Sequence, residues 1–391
     1  MFSSSWKKKD TVVKKDLSPT IKKATQSPKT WPASELNGLI AAFIPEDKIA
    51  ASLARTCRFF YHSTKAALEA RKLKTLAHHV IVEPNENKVT AMLNLEPTLV
   101  NAMIKEVIDN SGRILLDNKI LQLAFGAGNY AMCLAIKPFF IGVYGSEKAG
   151  IQEMKRQRNE KFAENKKEDD KADEQAEAHL AVILKPAIKA ITDEKFNSGR
   201  DADNKLILSA VTLLAIDTFR KEFAKSQPKR IKKGMHFRDN TLQEIYNAYV
   251  KSAAKWDYDY NRCALFEDGI LSCVLLCVPA NDAQKFSWGL HYLQCTKEKY
   301  PRSFVLRDGK NNFYRVCAAA SIDFSILGSC IDILLGTHVR PTSGRGAHGP
   351  RLTPNAAERA RMYQNSRQTK YSNLRSVCAL STHTRSRRLS V

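Results

Sequence analysis

The chain has 391 residues, of which 43% are hydrophobic and 26% are charged, and its formal net charge is +22. This balance supplies a buried core and excludes a wholly disordered or collagen-like chain, while few glycines (17) and prolines (14) disfavour a turn-rich β sandwich. No apolar run reaches the roughly 18–20 residues of a membrane helix. Because no apolar stretch follows the N-terminal lysines, we also expect no secretory signal peptide.

Most of the positive charge lies in two terminal segments. Residues 1–29 contain eight lysines and two aspartates, and residues 340–391 contain eleven basic residues and one glutamate. The rest of the chain carries only +6 of the +22. We predict a disordered basic leader at 1–30 and a disordered basic tail at 340–391. Such tails attract nucleic acid or anionic lipid surfaces without reading sequence or shape.

A three-helix module is predicted between residues 31 and 80. The composition changes at Trp31-Pro32, and Pro45-Glu46-Asp47 breaks and restarts the helical pattern. An apolar stripe with 3.6-residue spacing runs through the first two helices. Its members are Leu36, Leu39, Ile40, Phe43, Ile44, Ile49, Leu53, Cys57 and Phe60. Residues 61–76 are predicted as the third helix.

The next two segments are predicted as helical hairpins and a connector. Residues 81–146 contain a helix at 87–93, a loop at Ser111-Gly112-Arg113, and two helices around small residues, the second ending at Pro138. Residues 147–180 are nearly all charged or Ala, which favours a solvated helical connector between domains.

Residues 181–339 are predicted as a C-terminal helical domain. Apolar spacing indicates helices at 205–224 and 242–250, separated by a basic loop at 228–233, and a Cys-rich helical region at 256–298. Residues 304–316 indicate a pair of short extended elements, and residues 322–335 a last helix. The chain is therefore predicted to be mainly α, a multi-helix array with at most a small β-hairpin in this domain.

The pattern from Pro32 to Phe60 resembles an F-box. In that family a three-helix module inserts its apolar edge into the adaptor Skp1 and so joins a cullin ubiquitin ligase. The resemblance assigns Skp1-facing roles to Pro32, Leu36, Ile40, Ile44, Ile49 and Leu53, and structural roles to Phe43, Cys57 and Phe60. Such helix-in-groove recognition needs no catalysis. An ordinary amphipathic hairpin that buries the same stripe within its own protein remains the alternative.

Residues 121–129 resemble the Leu-His-x-Ala-x-x-x-Gly-Asn core of an ankyrin repeat. Leu121, Ala124, Gly128 and Asn129 stand at the positions of that motif. Residues 87–100 are similar to the tail of a preceding repeat. Ankyrin surfaces bind proteins, so the resemblance implies a target-binding surface. A generic tight helical hairpin would give the same pattern.

Taken together, residues 31–340 resemble the paralogous effector families of Legionella and related intracellular bacteria. Several members of those families are secreted through a type IV system and act in the host cytoplasm. The resemblance implies a protein-binding role and brings no enzymatic site.

Searches for a P-loop, a dinucleotide fingerprint, a G-x-S-x-G elbow and H-E-x-x-H find none of them. The nine cysteines are odd in number and lie mostly in apolar stretches, which favours buried thiols in a reducing compartment. His78-His79 is interpreted as a helix cap or core pair. We therefore expect no metal and no cofactor.

Three functional hypotheses follow from the sequence. The first is a non-enzymatic scaffold that binds Skp1 or a similar host adaptor through residues 31–61 and an unknown target protein through residues 81–335. The second is nonspecific binding of nucleic acid or anionic lipid by the tails. The third is a cysteine enzyme within residues 256–335.

Overall fold

The structure is a computed structural model that describes four main ranges and several short stretches. The main ranges are 58–162, 166–196, 208–257 and 259–287, and the short stretches are 303–304, 312–314, 317, 364–365, 368, 372–374 and 376–378. The chain divides into two compact units, residues 1–69 and 70–391. The described part of the chain is mainly helical with one small sheet, which confirms the predicted fold class.

The elements follow one another in this order. The helices are α1 (Arg58–Ile81), α2 (Glu86–Leu95), α3 (Ile120–Gly126), α4 (Tyr130–Tyr144), α5 (Glu147–Lys161), α6 (Lys166–Asp193), α7 (Ala210–Ser226), α8 (Asp239–Lys255), α9 (Tyr260–Phe266), α10 (Ser272–Leu275) and α11 (Ala280–Phe286). A 3₁₀ helix (Pro97–Asn101) follows α2, and a π-helical turn (Glu267–Leu271) joins α9 to α10. The strands are β1 (Ile104–Ile108), β2 (Ile114–Asn118) and β3 (Arg230–Ile231).

Two hydrophobic cores organise the second unit. The first core gathers the end of α1, α2, the β1–β2 hairpin and α3–α5, and fully buries Leu93, Phe125 and Phe140. The second core gathers α6–α11 and fully buries Phe219 and Tyr246. Amphipathic helices need such a shared interior because each buries only one face.

The β-hairpin lies in the first core, whereas the sequence predicted a loop there and extended elements at 304–316. β1 and β2 pair antiparallel from Ile104 opposite Asn118 to Ile108 opposite Ile114. The Asp109 carboxylate accepts the backbone N–H groups of Ser111 and Arg113, and Gly112 has a φ of +80°, so the tight turn is fixed locally. In the other segment, Asn312 forms a β-bridge and the Phe313 N–H donates to the Phe304 carbonyl at 2.7 Å, while Phe313 and Tyr314 are helical. The rest of that segment lies outside the described residues, so the predicted pair of extended elements stays a prediction.

Pro138, which was predicted to end a helix, lies inside one, and so does Pro186. α4 continues past Pro138 to Tyr144, and α6 continues past Pro186 to Asp193. A proline in a helix removes one backbone donor but does not prevent the helix from continuing when both sides are anchored. Around Pro138, the buried Ile136 and Phe140 provide that anchorage.

The prediction of a solvated connector at 147–180 is wrong for its first half. α5 buries Ile151, Met154 and Gln157 against α3 and α4, although it is rich in charge. A strongly polar helix can pack when its few apolar residues share one face. The predicted boundary at 180 is also wrong, since it falls within the single helix α6.

The folded part does not end at residue 340, as the sequence predicted. Leu374, Val377 and Cys378 are buried in the first core, and the described residues around them are helical. Helical spacing places residues 374, 377 and 378 on one face. This short stripe was overlooked because basic and small polar residues surround it.

One segment, residues 229–238, passes from the first core to the second and is called the crossing segment here. It begins with β3, which pairs parallel to β2 with Ile114 opposite Arg230. Ile231 is buried in the first core and Phe237 in the second. The backbone N–H of His236 donates to the Gly126 carbonyl at 2.7 Å. Backbone hydrogen bonds therefore tie this segment to β2 and α3 of the first core, and its buried Phe237 reaches the second.

Replacing Gly126 with Ala should loosen the crossing segment. A Cβ at Gly126 would overlap the imidazole of His236, which is itself buried. We expect Gly126→Ala to lower the free energy of unfolding by about 1–3 kcal/mol, the usual cost of overpacking. Urea denaturation of the full chain measures this change.

Gly142→Ala is the matched control, because it is also a helical Gly-to-Ala change and a Cβ there meets nothing within 4 Å. It should leave stability unchanged or raise it by up to about 1 kcal/mol through helix propensity. Equal effects of the two substitutions would contradict the close approach of His236 to α3.

Candidate functional site: a cationic cleft

A cleft with a volume of about 650 Å³ opens beside the crossing segment. Its walls come from α6, the C-terminal end of α7, the crossing segment and the start of α8. The polar side chains that line it are Gln175, His179, Ser226, Gln227, Arg230, Lys232, Lys233, His236, Arg238, Asn240 and Thr241. We call it the cationic cleft.

The charged residues described in the lining of the cationic cleft are all basic. Arg230, Lys232, Lys233 and Arg238 are exposed, and none of the described lining residues is acidic. Four cations from nine consecutive positions therefore concentrate positive charge on one wall of the cleft. Such a surface attracts anionic ligands.

An acidic residue outside the lining partly neutralises one cation. The Lys232 ammonium lies 3.0 Å from a carboxylate oxygen of Asp117, and this contact lowers the pKa of Asp117. Asp117 has a φ of +50°, a left-handed conformation that is uncommon for a residue other than Gly. Lys232 is thereby held at the rim of the cleft.

Lys161, the last residue of α5, forms hydrogen bonds with the crossing segment. The Lys161 ammonium group donates to Asn118 Oδ1 at 2.8 Å and to the Lys232 carbonyl at 3.2 Å, while its own carbonyl accepts the Gly234 N–H at 2.7 Å. The Arg113 guanidinium donates to the His236 carbonyl. Both ends of the cationic loop are therefore fixed by long side chains that reach from the first core.

Lys161 is almost completely buried, with 1% of its surface exposed. Burial lowers the pKa of Lys161 to about 7, because a charged amine loses its hydration there. Its hydrogen bonds go to neutral oxygens, and no carboxylate is among its described partners. The amine can therefore lose its proton near neutral pH and still donate hydrogen bonds.

The predicted adaptor-binding residues lie outside the part of the chain that the structure describes. This holds for Pro32, Leu36, Ile40, Phe43, Ile44, Ile49, Leu53 and Cys57. Phe60 lies in the first turn of α1, and α1 runs without a break across the predicted boundary between the second and third helices. The roles assigned to these residues stay predictions.

The ankyrin-like residues meet at the turn between α3 and α4. Leu121 and Ala124 are fully buried on α3. Gly128 has a φ of +67°, and Asn129 caps α4 by accepting the Met132 N–H at 3.1 Å. The Asn129 N–H donates to the Ala124 carbonyl at 2.9 Å. These residues shape a tight helical hairpin and lie apart from the lining of the cationic cleft.

Cys273 and Cys277 are poor nucleophiles. Burial raises the pKa of Cys273 to about 12 and that of Cys277 to about 11, so both stay protonated at neutral pH. Glu267 is buried in the π-helical turn and accepts the Tyr249 hydroxyl at 2.5 Å. A cysteine enzyme in this region would need a base near its thiol, and His291, which could pair with Cys263, lies outside the described residues.

The sequence identified the basic loop at 228–233 but not the cleft. The charge run extends to Arg238, and this extension was the available signal. The contribution of His179 from α6 could not be read from the sequence, because it depends on how α6 packs beside the crossing segment.

Comparisons with protein-family models, with curated proteins and with solved structures find no match for this chain. Among the described helices, none combines enough length with enough apolar character to cross a membrane. The functional argument therefore depends on the residues of this chain alone.

Replacing Lys161 with Met should change how stability depends on pH. The unfolded chain keeps the lysine proton up to a pKa of about 10.5, whereas the folded chain releases it near pH 7. Unfolding then takes up a proton between these values, so the wild-type free energy of unfolding rises with pH relative to Lys161→Met. The difference should grow by up to about 1.4 kcal/mol per pH unit.

Urea denaturation at several pH values above 7 measures this difference. Lys155→Met, at an exposed position on the same helix, is the control and should follow the wild-type dependence. Parallel curves for the wild type and Lys161→Met would show that the amine stays charged in the folded chain.

Proposed function

We propose that the protein is a non-enzymatic scaffold of the bacterial effector type that acts in the cytoplasm of a host cell. Residues 31–61 bind Skp1 or a similar adaptor through the F-box-like stripe. The cationic cleft holds an acidic segment of the target protein. The observation that carries this proposal is the cluster of four exposed cations on an anchored segment, in a cleft whose described lining residues include no acid.

The shape of the cationic cleft suits a peptide. A volume of about 650 Å³ accommodates several side chains. Besides its cations, the cleft offers amides and hydroxyls, including Gln175 and Thr241, which can bond to a peptide backbone. Exposed cations contribute mainly to attraction and orientation, as expected for recognition of a solvated acidic segment.

The lining favours an acidic protein segment over nucleic acid. Binding of single strands relies on exposed aromatic rings on which bases stack. The aromatic residues here are Phe162, Phe223 and Phe237, and the last two are buried in the second core. Of these three rings only Phe162 is partly exposed, so the described lining offers charge with little surface for base stacking.

Two binding surfaces on one chain provide a mechanism. When one surface holds the adaptor and the other holds the target, the second binding event becomes intramolecular and its effective concentration rises. A ligase recruited at residues 31–61 is then kept near the acidic target. This mechanism needs no reacting side chain.

Reversing two cleft charges should weaken binding of an acidic peptide. We expect Lys233→Glu combined with Arg238→Glu to raise the Kd of a fluorescent poly-Glu peptide at least about tenfold, because each reversal replaces an attraction by a repulsion. Fluorescence anisotropy with the full chain at low salt measures the Kd.

Lys251→Glu combined with Lys255→Glu is the matched control, since both residues are exposed on α8 outside the cleft lining and the net charge changes equally. This control should stay within about twofold of the wild type. An equal loss in both variants would indicate nonspecific attraction. Unchanged binding in both would favour the alternative function, in which the terminal basic segments bind nucleic acid or anionic lipid.

The adaptor part of the proposal has its own test. We expect Leu36→Asp combined with Ile40→Asp to abolish binding of purified Skp1, because charged side chains cannot enter an apolar groove without a large desolvation cost. Size-exclusion chromatography of the full chain with Skp1 measures complex formation.

Asn37→Asp combined with Ala41→Asp introduces the same charges one position away from the stripe and should retain binding. The unfolding transition of the second unit should be the same in both variants. A wild-type chain that does not bind Skp1, or a Leu36/Ile40 variant that still does, would contradict the F-box interpretation.

A further inference from the structure

Two histidines and a glutamate meet where α1 ends. His78 and His79 occupy the last turn of α1, and Glu83 follows in the turn that leads to α2. One ligand atom from each side chain lies within 4.8 Å of the other two. His78 Nε2 is 3.6 Å from a carboxylate oxygen of Glu83. This cluster lies apart from the residues of the cationic cleft.

The backbone holds the three residues in this arrangement. The N–H groups of Val82 and Glu83 both donate to the His78 carbonyl, at 2.8 and 2.9 Å. This bifurcated contact turns the chain back, so that Glu83 lies beside a residue five positions earlier. The Asn85 N–H donates to the His79 carbonyl at 3.0 Å.

The same turn is also fixed from outside. The Asn110 amide, in the β1–β2 turn, donates to the Val82 carbonyl at 2.8 Å. The Gln284 amide of α11 donates to the Pro84 carbonyl at 3.4 Å. Since ligand geometry depends on such supporting contacts, the cluster has the rigidity that a metal site needs.

A second observation at His79 also points to a ligand. His79 Nδ1 is buried and has no hydrogen-bond partner among the described residues. A buried polar atom without a partner is uncommon and needs an explanation.

We infer that His78, His79 and Glu83 form a binding site for a divalent transition metal, with Zn²⁺ as the preferred ion. Two imidazole nitrogens and one carboxylate oxygen are a donor set that zinc accepts with a fourth position left for water. His78 and Glu83 are partly or fully exposed, which gives the ion a route from solvent. This inference is independent of the proposed scaffold function.

Zinc binding to the full chain tests the inference. Equilibrium dialysis should show that His78→Ala binds one Zn²⁺ fewer per chain than the wild type at micromolar free zinc. Glu83→Gln should weaken that binding step at least about tenfold, the loss that follows even from changes outside the ligand set. All variants keep the same cysteines, so any zinc that the cysteines bind adds equally to each measurement and does not change the difference between variants.

His179→Ala is the matched control, because His179 is an exposed histidine outside the cluster. It should bind as much zinc as the wild type. Zinc should also raise the unfolding temperature of the wild type and of His179→Ala but not of His78→Ala, since a ligand that binds the folded state stabilises it. Equal zinc stoichiometry and affinity in the wild type and His78→Ala would overturn the inference.

Discussion

The buried amine of Lys161 is the contact on which the arrangement of the second unit depends. It joins the end of α5, strand β2 and the crossing segment through bonds to Asn118 and the Lys232 carbonyl. Removing a charged amine from water is costly, and here only neutral oxygens compensate for it. The same bonds fix the loop that carries four exposed cations, which runs from Ile231 in the first core to Phe237 in the second.

The residues that hold the crossing segment in place differ from the residues that supply its positive charge. The residues that hold the crossing segment, Gly126, Arg113 and Lys161, face the first core, whereas Lys233 and Arg238 project into the cationic cleft. A binding site on a loop is usually less exact than one on a helix or strand. Parallel pairing with β2 and three further anchors give this loop the fixed geometry of a regular element.

The sequence predicted the positions of the helices better than the way in which the helices pack against one another. Periodicity located α7 and α8, because their buried faces repeat every 3.6 residues. It failed where tertiary contacts override local signals: α4 continues past Pro138, α5 packs despite its charge, and Val377 returns to the first core from a basic tail. The β1–β2 hairpin was missed because its turn is stabilised by Asp109 and Gly112, without the two-residue Asn-Gly or Asp-Gly signal that marks a short hairpin.

Neither candidate site could be assembled from sequence alone, for different reasons. The cationic cleft joins His179 to a loop about fifty residues later, a relation set only by packing of α6. The histidine–glutamate cluster is local, yet an ideal helix would keep Glu83 away from His78; the turn after α1 brings them together. In both cases the side chains that could bind a ligand lie where a helix or strand ends. Helix ends and crossings leave backbone groups unpaired, and the contacts that satisfy them also fix the neighbouring side chains.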